Sequence, residues 1–311
     1  MEKEFLKNKI EELVALCKNA IEGGFSVVVT GHDMPDSDSI ISAVMLRELL
    51  SRLCVKATVK FGTCPDGVTL RDMKKLGVLD GVDFDGFGEN DKLILVDHHV
   101  TFYKNEVIAC IDHHTTPPEP DFALDMVLKA SSCGRIIYDL AVAACASDAW
   151  MEKMAIYSVY LDTQSCRSPK FDKADLPWLA DGIARLELDE NELEEMGFCL
   201  NSLDESAEVL AAYAYKKYEF GGRVGASTCV QIDDEQCGWD KKIDEIVELL
   251  KQKMITDGAF IWVLVVNKPK IARSDLYFIR ESGVEVVCLN RLASRSRDVV
   301  PVVMREAEGN I

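Results

Sequence analysis

The histidines of this sequence stand beside aspartates. Four of the five histidines lie in two Asp-His-His tripeptides, at residues 97–99 and 112–114. The fifth, His32, opens the stretch His-Asp-Met-Pro-Asp-Ser-Asp, which also carries Asp36 and Asp38. Imidazole and carboxylate groups together suit Mn²⁺, Co²⁺, Zn²⁺ or Fe²⁺ better than Ca²⁺. One histidine near a strand end would be an ordinary polar surface residue, but all five beside aspartates predict a metal site.

The acidic residues after His32 have a second interpretation. Asp36 and Asp38 could serve only as caps of the helix that follows, because Asp and Ser favour helix N-termini. A cap explains one or two acidic residues, but it does not explain a histidine beside both. No cluster of cysteines lies nearby, which argues against a structural zinc site.

Six residues form the predicted ligand set: His32, Asp36, Asp38, Asp97, His113 and Asp162. They would overfill one ion and suit two ions about 3.5–4 Å apart, bridged by one aspartate. Such a pair clamps a phosphoryl group and lowers the pKa of a shared water.

Alternating strands and helices are predicted to position these residues. The apolar runs 25–30, 54–60, 92–96 and 106–111 predict strands, three of which lead directly into His32, Asp97 and Asp112. Helical spacing predicts helices over 2–22, after Asp38, and over 70–76, 132–146, 149–162 and 174–186. This alternation indicates a parallel sheet covered by helices on both faces. Sites in such sheets form at the carboxyl ends of the strands, so we expect one edge to carry all of these groups.

The second half of the chain predicts a smaller α/β domain. We expect helices over 204–218 and 239–253 and strands over 223–232, 261–266, 276–280 and 285–289. The segment FGGRVG (220–225) predicts a hairpin-like turn. The acidic stretch 187–200 predicts a connection, so the expected domains are 1–188 and 204–311, joined by a linker over 189–203.

Composition limits the classes of function. With 311 residues, 48% of them hydrophobic and 28% charged, the chain is long enough for two folded domains. The net charge of −18 argues against a nucleic-acid partner but leaves room for a local basic site. No apolar run approaches the roughly 20 residues of a membrane helix, and the N-terminus lacks a signal-peptide core. The eleven cysteines are scattered without a Cys-x-x-Cys pair, which favours reduced thiols in a cytoplasmic protein.

Four motifs taken together resemble those of the DHH phosphoesterase superfamily. They are HDMPDSD (32–38), VDHH (96–99), IDHH (111–114) and LDT (161–163), and any one alone would be a weak signal. No histidine follows His114, which excludes the Gly-Gly-Gly-His motif of the DHH exonucleases. The segment SRSRDVVP (294–301) instead resembles the S-R-K-K-Q-V-V-P segment of manganese-dependent (family II) inorganic pyrophosphatases. Met34 stands where this family usually has Asn, and Ser296 where a lysine is usual.

The resemblance implies a fold and a set of roles. It implies an N-terminal DHH domain and a C-terminal domain of the DHHA2 type. One metal would be held by His32, Asp36 and Asp97, and the other by Asp38, Asp97, His113 and Asp162. Asp112 would orient the histidines beside it. The catalytic residues would be His114, Asp97 and Asp36, and the phosphate contacts would be His98, His114, Lys216, Arg295 and Arg297.

The resemblance also implies an activity. The expected reaction is hydrolysis of a phosphoanhydride, inorganic pyrophosphate above all, with two Mn²⁺ or Co²⁺ ions and with Mg²⁺ accompanying the substrate. A homodimer is a further expectation. Exopolyphosphatase or other small-molecule phosphoesterase activity stays open, as does a regulatory protein without enzymatic activity. Taken alone, Arg295 and Arg297 would be interpreted as charged residues of a solvent-exposed turn. The surrounding SRSRDVVP segment (294–301) favours phosphate binding instead.

Overall fold

The expected parallel sheet has six strands. The protein is represented by a computed structural model, which describes residues 3–99, 103–114 and 121–309. The strands are β1 (Ser26–Thr30), β2 (Thr58–Lys60), β3 (Val82–Asp83), β4 (Asp91–Val96), β5 (Val107–Asp112) and β6 (Asp125–Val127). Their order is β3-β2-β1-β4-β5-β6, and every neighbouring pair is parallel. The three strands that lead into the Asp/His motifs are therefore adjacent.

Seven helices accompany this sheet in the described residues. They are α1 (Lys3–Glu22), α2 (Ser37–Arg52), α3 (Gly67–Leu76), α4 (Cys133–Ala143), α5 (Ala149–Asp162), α6 (Leu176–Arg185) and α7 (Glu190–Phe198). Helix α2 packs against α4 and α5 as well as against β1, and most of its side chains are buried. Burial on several sides explains why its apolar residues follow mixed three- and four-residue steps rather than one stripe. None of the described helices combines the length and apolar character needed to cross a bilayer.

The second sheet is mixed. Its strands are β7 (Lys216–Phe220), β8 (Arg223–Gln231), β9 (Ala259–Lys268), β10 (Arg273–Arg280) and β11 (Gly283–Leu289). They are ordered β11-β10-β9-β8-β7, with β8 and β9 parallel and the other pairs antiparallel. The accompanying helices are α8 (Ala207–Ala211), α9 (Trp239–Thr256) and α10 (Val300–Ala307). Ile261, Val263 and Val265 of β9 form one core with Val299 and Val303 from the C-terminal helical segment.

The chain divides into two compact units. The first contains residues 1–166 and 171–197, and the second contains residues 167–170 and 198–311. The fold class, an α/β protein with a parallel first sheet and a smaller second α/β domain, is confirmed. The predicted domain limits stay a prediction, and α7 occupies much of the predicted linker over 189–203.

The helix predicted over 204–218 is wrong. Only α8 forms there, because the chain leaves helical geometry at Ala214, whose φ is 45°, and continues as β7. Tyr218 and Phe220 alternate along β7 and pack against the core of the second sheet, so tertiary packing outweighs the helix propensity of the alanines. The Gly221-Gly222 turn joins β7 to β8 as an antiparallel hairpin, which confirms the turn prediction. The strand predicted over 54–60 is shortened to β2, and β3 and β6 were not predicted because they are too short to show alternation.

Candidate metal centre

Three adjacent strand ends bring the Asp/His motifs together. β1 leads into His32, β4 ends just before Asp97, and β5 ends at Asp112, just before His113. Because β1, β4 and β5 are parallel neighbours, their carboxyl ends lie at the same edge of the sheet. Gly31 is required at this edge, since a Cβ there would approach the Cβ of Ser39 in α2 to 2.5 Å.

Asp36 caps α2 and also faces His32, while its role as a metal ligand stays a prediction. Its Oδ1 accepts a hydrogen bond from the Ser39 backbone N–H at 3.1 Å and so caps α2. Its Oδ2 lies 3.4 Å from Nε2 of His32. The cap therefore fixes the carboxylate in a position where its other oxygen faces the imidazole.

Asp97 faces two groups of candidate ligands. Its Oδ2 accepts a hydrogen bond from the Ser39 hydroxyl at 2.6 Å and lies 3.7 Å from Nε2 of His32. Its Oδ1 lies 3.2 Å from Nε2 of His113. The residue is 2% exposed and has a φ of 63°, in the left-handed region that costs a non-glycine residue free energy. One oxygen towards each group is the arrangement that a bridging carboxylate requires.

Asp38 is held by four hydrogen bonds. Its Oδ1 accepts from the hydroxyls of Ser158 (2.6 Å) and Ser42 (3.1 Å) and from the Gly134 N–H (3.0 Å), and its Oδ2 accepts from the Cys133 N–H (2.7 Å). The N-terminus of α4 thus points at the carboxylate, which favours its negative charge. A Cβ on Gly134 would collide with the Ser158 hydroxyl, so the glycine permits this approach. Burial and the nearby Asp97 still raise the pKa of Asp38 well above its ordinary value.

His113 lies among three carboxylates. Its Nε2 is 3.2 Å from Asp97, 3.6 Å from Asp162 and 3.7 Å from Asp38. Burial lowers the pKa of His113, but these three carboxylates outweigh burial and raise it to about 10. The three carboxylates therefore favour positive charge at the point where they converge.

The chemistry of this group of atoms fits a divalent cation. Asp97 Oδ1 and His113 Nε2 are buried, and neither has a hydrogen-bond partner. Buried polar atoms without a hydrogen bond are rare in proteins and call for a ligand. Among the described residues, donor atoms within 4.8 Å of one another form three groups: His32, Asp36 and Asp97; Asp38, His113 and Asp162; and Asp97, Asp112, His113 and His114. The structure thus brings all six predicted ligands together, while their roles as ligands stay predictions.

Asp112 orients the histidines around it. Its Oδ1 accepts from Nδ1 of His114 at 2.8 Å and from the His113 backbone N–H at 2.7 Å. Its Oδ2 is paired with Nδ1 of His99. Burial raises the pKa of Asp112, but the hydrogen bonds from His114 and His99 outweigh it and hold the pKa well below its usual range. The two Asp-His-His tripeptides are therefore joined through this carboxylate, as residues behind metal ligands often are.

His98 lies beside the His32 end of the cluster. Its Nδ1 is 3.0 Å from the Val96 carbonyl, and its ring stands edge-on to that of His32, with centroids 6.2 Å apart. Burial, and then the neighbouring His32, lower the pKa of His98 to about 4. This shift favours the neutral imidazole, which can form hydrogen bonds without carrying a charge.

The predicted phosphate-binding cations belong to the second unit. Lys216 begins β7 and shares a face with Tyr218, because side chains two apart in a strand point the same way. The Arg295 guanidinium donates to the carbonyl of Ala214, just before β7. Burial raises the pKa of Tyr218, and the charge of Arg295 opposes that rise. Arg297 is exposed in the same helical turn, Arg295–Val299.

Sequence reasoning missed the serines that hold the carboxylates. Ser39 binds Asp97, and Ser158 binds Asp38. Ser158 carried a usable signal, since it is a polar residue in the buried run of α5, one helical turn before Asp162. Ser39 has no comparable signal, because a serine near the start of a helix is common in any protein.

A comparison with known protein families gives a match that includes all six predicted metal ligands. The model described as "DHH family, N-terminal domain" matches residues 26–163. That span begins with β1 and ends one residue after Asp162, so it contains all six predicted ligands. Residues 26–163 are therefore similar to the N-terminal domain of the DHH family. The sheet edge described above, with the two Asp-His-His tripeptides, lies within these residues.

Relatives extend the likeness beyond residues 26–163. A manganese-dependent inorganic pyrophosphatase of Methanocaldococcus jannaschii is 24% identical over 314 residues, covering 90% of this chain and 99% of the relative. A crystal structure of a candidate family II inorganic pyrophosphatase of Methanococcus jannaschii superposes with a TM-score of 0.75 at 20% identity, covering 91% of this chain and all of the other. An exopolyphosphatase-related protein of Bacteroides fragilis is more distant, with a TM-score of 0.47 at 14% identity over 91% of each chain. The second of these likenesses shows the fold of the chain, and the third is too low to argue from.

Proposed function

We propose that this protein hydrolyses a phosphoanhydride, inorganic pyrophosphate to two phosphates, with two divalent metal ions, Mn²⁺ or Co²⁺. The observation that carries the proposal is Asp97, whose two oxygens face His32 and His113 separately. The relative from Methanocaldococcus jannaschii, similar over nearly its whole length, is a manganese-dependent inorganic pyrophosphatase and supports the same substrate.

Residues 26–163 supply the ligands in this proposal. One ion is held by His32, Asp36 and Asp97, and the other by Asp38, Asp97, His113 and Asp162. When bound, such a pair of ions neutralises phosphate charge and makes an attacking water more acidic. The fourfold hydrogen bonding of Asp38 and the capping bond of Asp36 keep these carboxylates from reorganising during the reaction.

The remaining residues position water and substrate. Asp97 and Asp36 orient the attacking water at the metal centre. His114, whose Nδ1 is engaged by Asp112, presents the other side of its ring to the leaving phosphate. His98 adds a neutral hydrogen-bonding group, while Lys216, Arg295 and Arg297 bind phosphate oxygens, with Mg²⁺ accompanying the substrate. Guanidinium groups match pairs of phosphate oxygens, which suits a small and highly charged anion.

The proposal also covers the location of the protein and its binding partners. We place the protein in the cytoplasm, where the scattered cysteines of the sequence would remain reduced. Its partner is a small phosphoanhydride rather than nucleic acid or membrane, since the net charge of −18 disfavours both polyanions. A homodimer is also part of the proposal.

The test is phosphate release from pyrophosphate and from tripolyphosphate by protein stripped of metal with a chelator. We expect release from pyrophosphate on addition of Mn²⁺ or Co²⁺ and little without them. A preference for tripolyphosphate would retain phosphoanhydride hydrolysis but move the substrate to polyphosphates. Failure to release phosphate from either compound in the presence of Mn²⁺ would refute the proposal.

A further inference from the structure

Asp175 stands at a helix start where an aspartate would normally cap its own helix. It occupies the N-cap position of α6, yet among the described residues its side chain accepts no hydrogen bond from that helix. Aspartates at the same position of α2, α3 and α5 each accept a hydrogen bond from a backbone N–H of the helix that follows. Only 13% of the Asp175 side chain is exposed. A largely buried carboxylate needs partners, and those of Asp175 belong to another helix.

Both oxygens of Asp175 bind the start of α4. Oδ2 accepts a hydrogen bond from the Ser131 hydroxyl at 2.6 Å, and Oδ1 accepts one from Nε of Arg135 at 3.1 Å. These two donors stand on either side of the first turn of α4, which begins at Cys133. The Arg135 guanidinium also lies over the Trp178 ring of α6, 4.2 Å from its centroid, which restricts the guanidinium further. Asp175 therefore holds this turn from both sides.

The turn held by Asp175 is the part of α4 that reaches the candidate metal centre. The N–H groups of Cys133 and Gly134 donate to Asp38 at 2.7 and 3.0 Å. They supply two of the four hydrogen bonds that hold this carboxylate. Because both N–H groups belong to the same turn, a shift of the turn would lengthen both bonds at once.

Two further contacts link the same stretch of chain to the metal centre. The hydroxyl of Ser132, the N-cap of α4, lies 2.7 Å from the hydroxyl of Ser158, which donates to Asp38. The carbonyl of Ala130 lies 3.3 Å from Nδ1 of His113. A carbonyl at one ring nitrogen of a metal-binding histidine orients the ring and directs its other nitrogen to the metal. The stretch thus contacts two of the predicted ligands.

We propose that Asp175 is a positioning residue of the metal centre. By holding the first turn of α4 on both sides, its carboxylate sets the distance from the N–H groups of that turn to Asp38, and with it the affinity of the centre for a divalent cation. Loss of a group that orients metal ligands typically weakens metal binding about 10- to 100-fold. The inference rests on the proposed two-metal function, but it does not depend on which phosphoanhydride is the substrate.

The first measurement is the Mn²⁺ affinity of the full chain, followed by electron paramagnetic resonance of free Mn²⁺. Asp175→Asn keeps the size of the side chain but replaces one acceptor oxygen with a donor, so affinity should fall about tenfold. The matched control is Asp139→Asn. Asp139 is the other carboxylate paired with Arg135, one turn further along α4, and its variant should bind Mn²⁺ as the wild type does.

The second measurement is hydrogen exchange of metal-free protein, by mass spectrometry of the peptide that contains Cys133 and Gly134. A loosened turn should exchange about three- to tenfold faster in Asp175→Asn and at the wild-type rate in Asp139→Asn. This readout needs neither metal nor substrate, so it separates the inference from the proposed function. Wild-type protein that binds no Mn²⁺ would refute that function and the effect on metal affinity, whereas unchanged exchange in Asp175→Asn would overturn the positioning of the turn by itself.

Ser131→Ala covers the case in which Asp175→Asn does not fold. It removes one of the two contacts and leaves Arg135 paired with the carboxylate, so both effects should appear by a smaller factor. In the double variant the losses should not add, because both changes remove the same hydrogen bond. Mn²⁺ affinity and exchange equal to the wild type in both single variants would overturn the proposal. Equal losses in Asp175→Asn and Asp139→Asn would do so too, since they would assign the effect to Arg135 alone.

Discussion

The metal centre of the first unit and the cationic residues of the second unit differ in how firmly the fold holds them. Asp38 has four hydrogen-bond donors around it, and Asp97 is 2% exposed and bonded to Ser39. Arg295 is half-buried and donates to one backbone carbonyl, and Arg297 is exposed. The two carboxylates are therefore held by more contacts than the two arginines.

If the proposed function is correct, this difference predicts that the two units contribute differently to the reaction. Fixed charges stabilise a transition state without reorganising, which is where electrostatic catalysis gains most. Flexible cations contribute mainly to binding, because ordering a long side chain offsets part of each contact. Changes in the first unit should therefore reduce kcat and metal binding, and changes in the second unit should mainly raise KM.

The largest effect is expected for Asp97→Asn. The amide keeps the shape of the side chain but removes the charge that faces both ligand groups, so kcat should fall on the order of 10³-fold. The matched control is Asp91→Asn, at the other end of β4, where the buried carboxylate instead binds Lys60 at 2.7 Å. Steady-state phosphate release measures both variants, and an Asp97→Asn enzyme with near wild-type kcat would contradict the two-metal assignment.

A smaller effect is expected for Ser158→Ala. Removing the 2.6 Å hydrogen bond loosens Asp38 without replacing any predicted ligand, so affinity for Mn²⁺ should fall about 10- to 100-fold. Electron paramagnetic resonance of free Mn²⁺ during titration measures this directly. Ser42→Ala removes the longer 3.1 Å bond to the same oxygen and should cost less. Equal Mn²⁺ affinity in Ser158→Ala and wild type would show that the serine does not position Asp38.

Arg295→Ala should have a moderate effect that falls on substrate binding. Loss of one guanidinium contact is expected to raise KM for pyrophosphate about tenfold with kcat changed less, and Arg295→Lys should recover part of the loss. Arg305→Ala, in α10 of the same unit, is the control and should leave KM unchanged. If Arg295→Ala instead lowered kcat alone, the division between the two units would be wrong.

The smallest effect concerns backbone strain at Met34. This residue has a φ of 53°, a conformation that asparagine tolerates better than methionine, and its N–H donates to Thr63. Met34→Asn should raise the free energy of unfolding by about 1 kcal/mol, measured by denaturant titration. Cys54→Asn is the matched control, because Cys54 has a φ of 60° and is exposed. If the free energy of unfolding rises in Cys54→Asn but not in Met34→Asn, the packing of the Met34 side chain outweighs its backbone strain.

Strand ends were predictable because their signals are local. Short β-branched runs followed directly by His32, Asp97 and Asp112 specify both the strands and the residues at their ends. The path of residues 204–220 was not predictable in this way. The alanines there favour a helix, while β7 forms because Tyr218 and Phe220 pack against residues far along the chain.

The sequence by itself determined which residue types lie at the sheet edge, in what order and beside which strands. Local spacing did not determine how two identical Asp-His-His tripeptides differ, and only the resemblance to a family assigned them separate roles. Only the tertiary structure decided that Asp97 faces two ligand groups and that Asp112 joins His99 to His114. The physical reason is that these contacts span separate strands and helices. Their geometry depends on strand order, on helix packing and on the left-handed backbone of Asp97, none of which local spacing encodes.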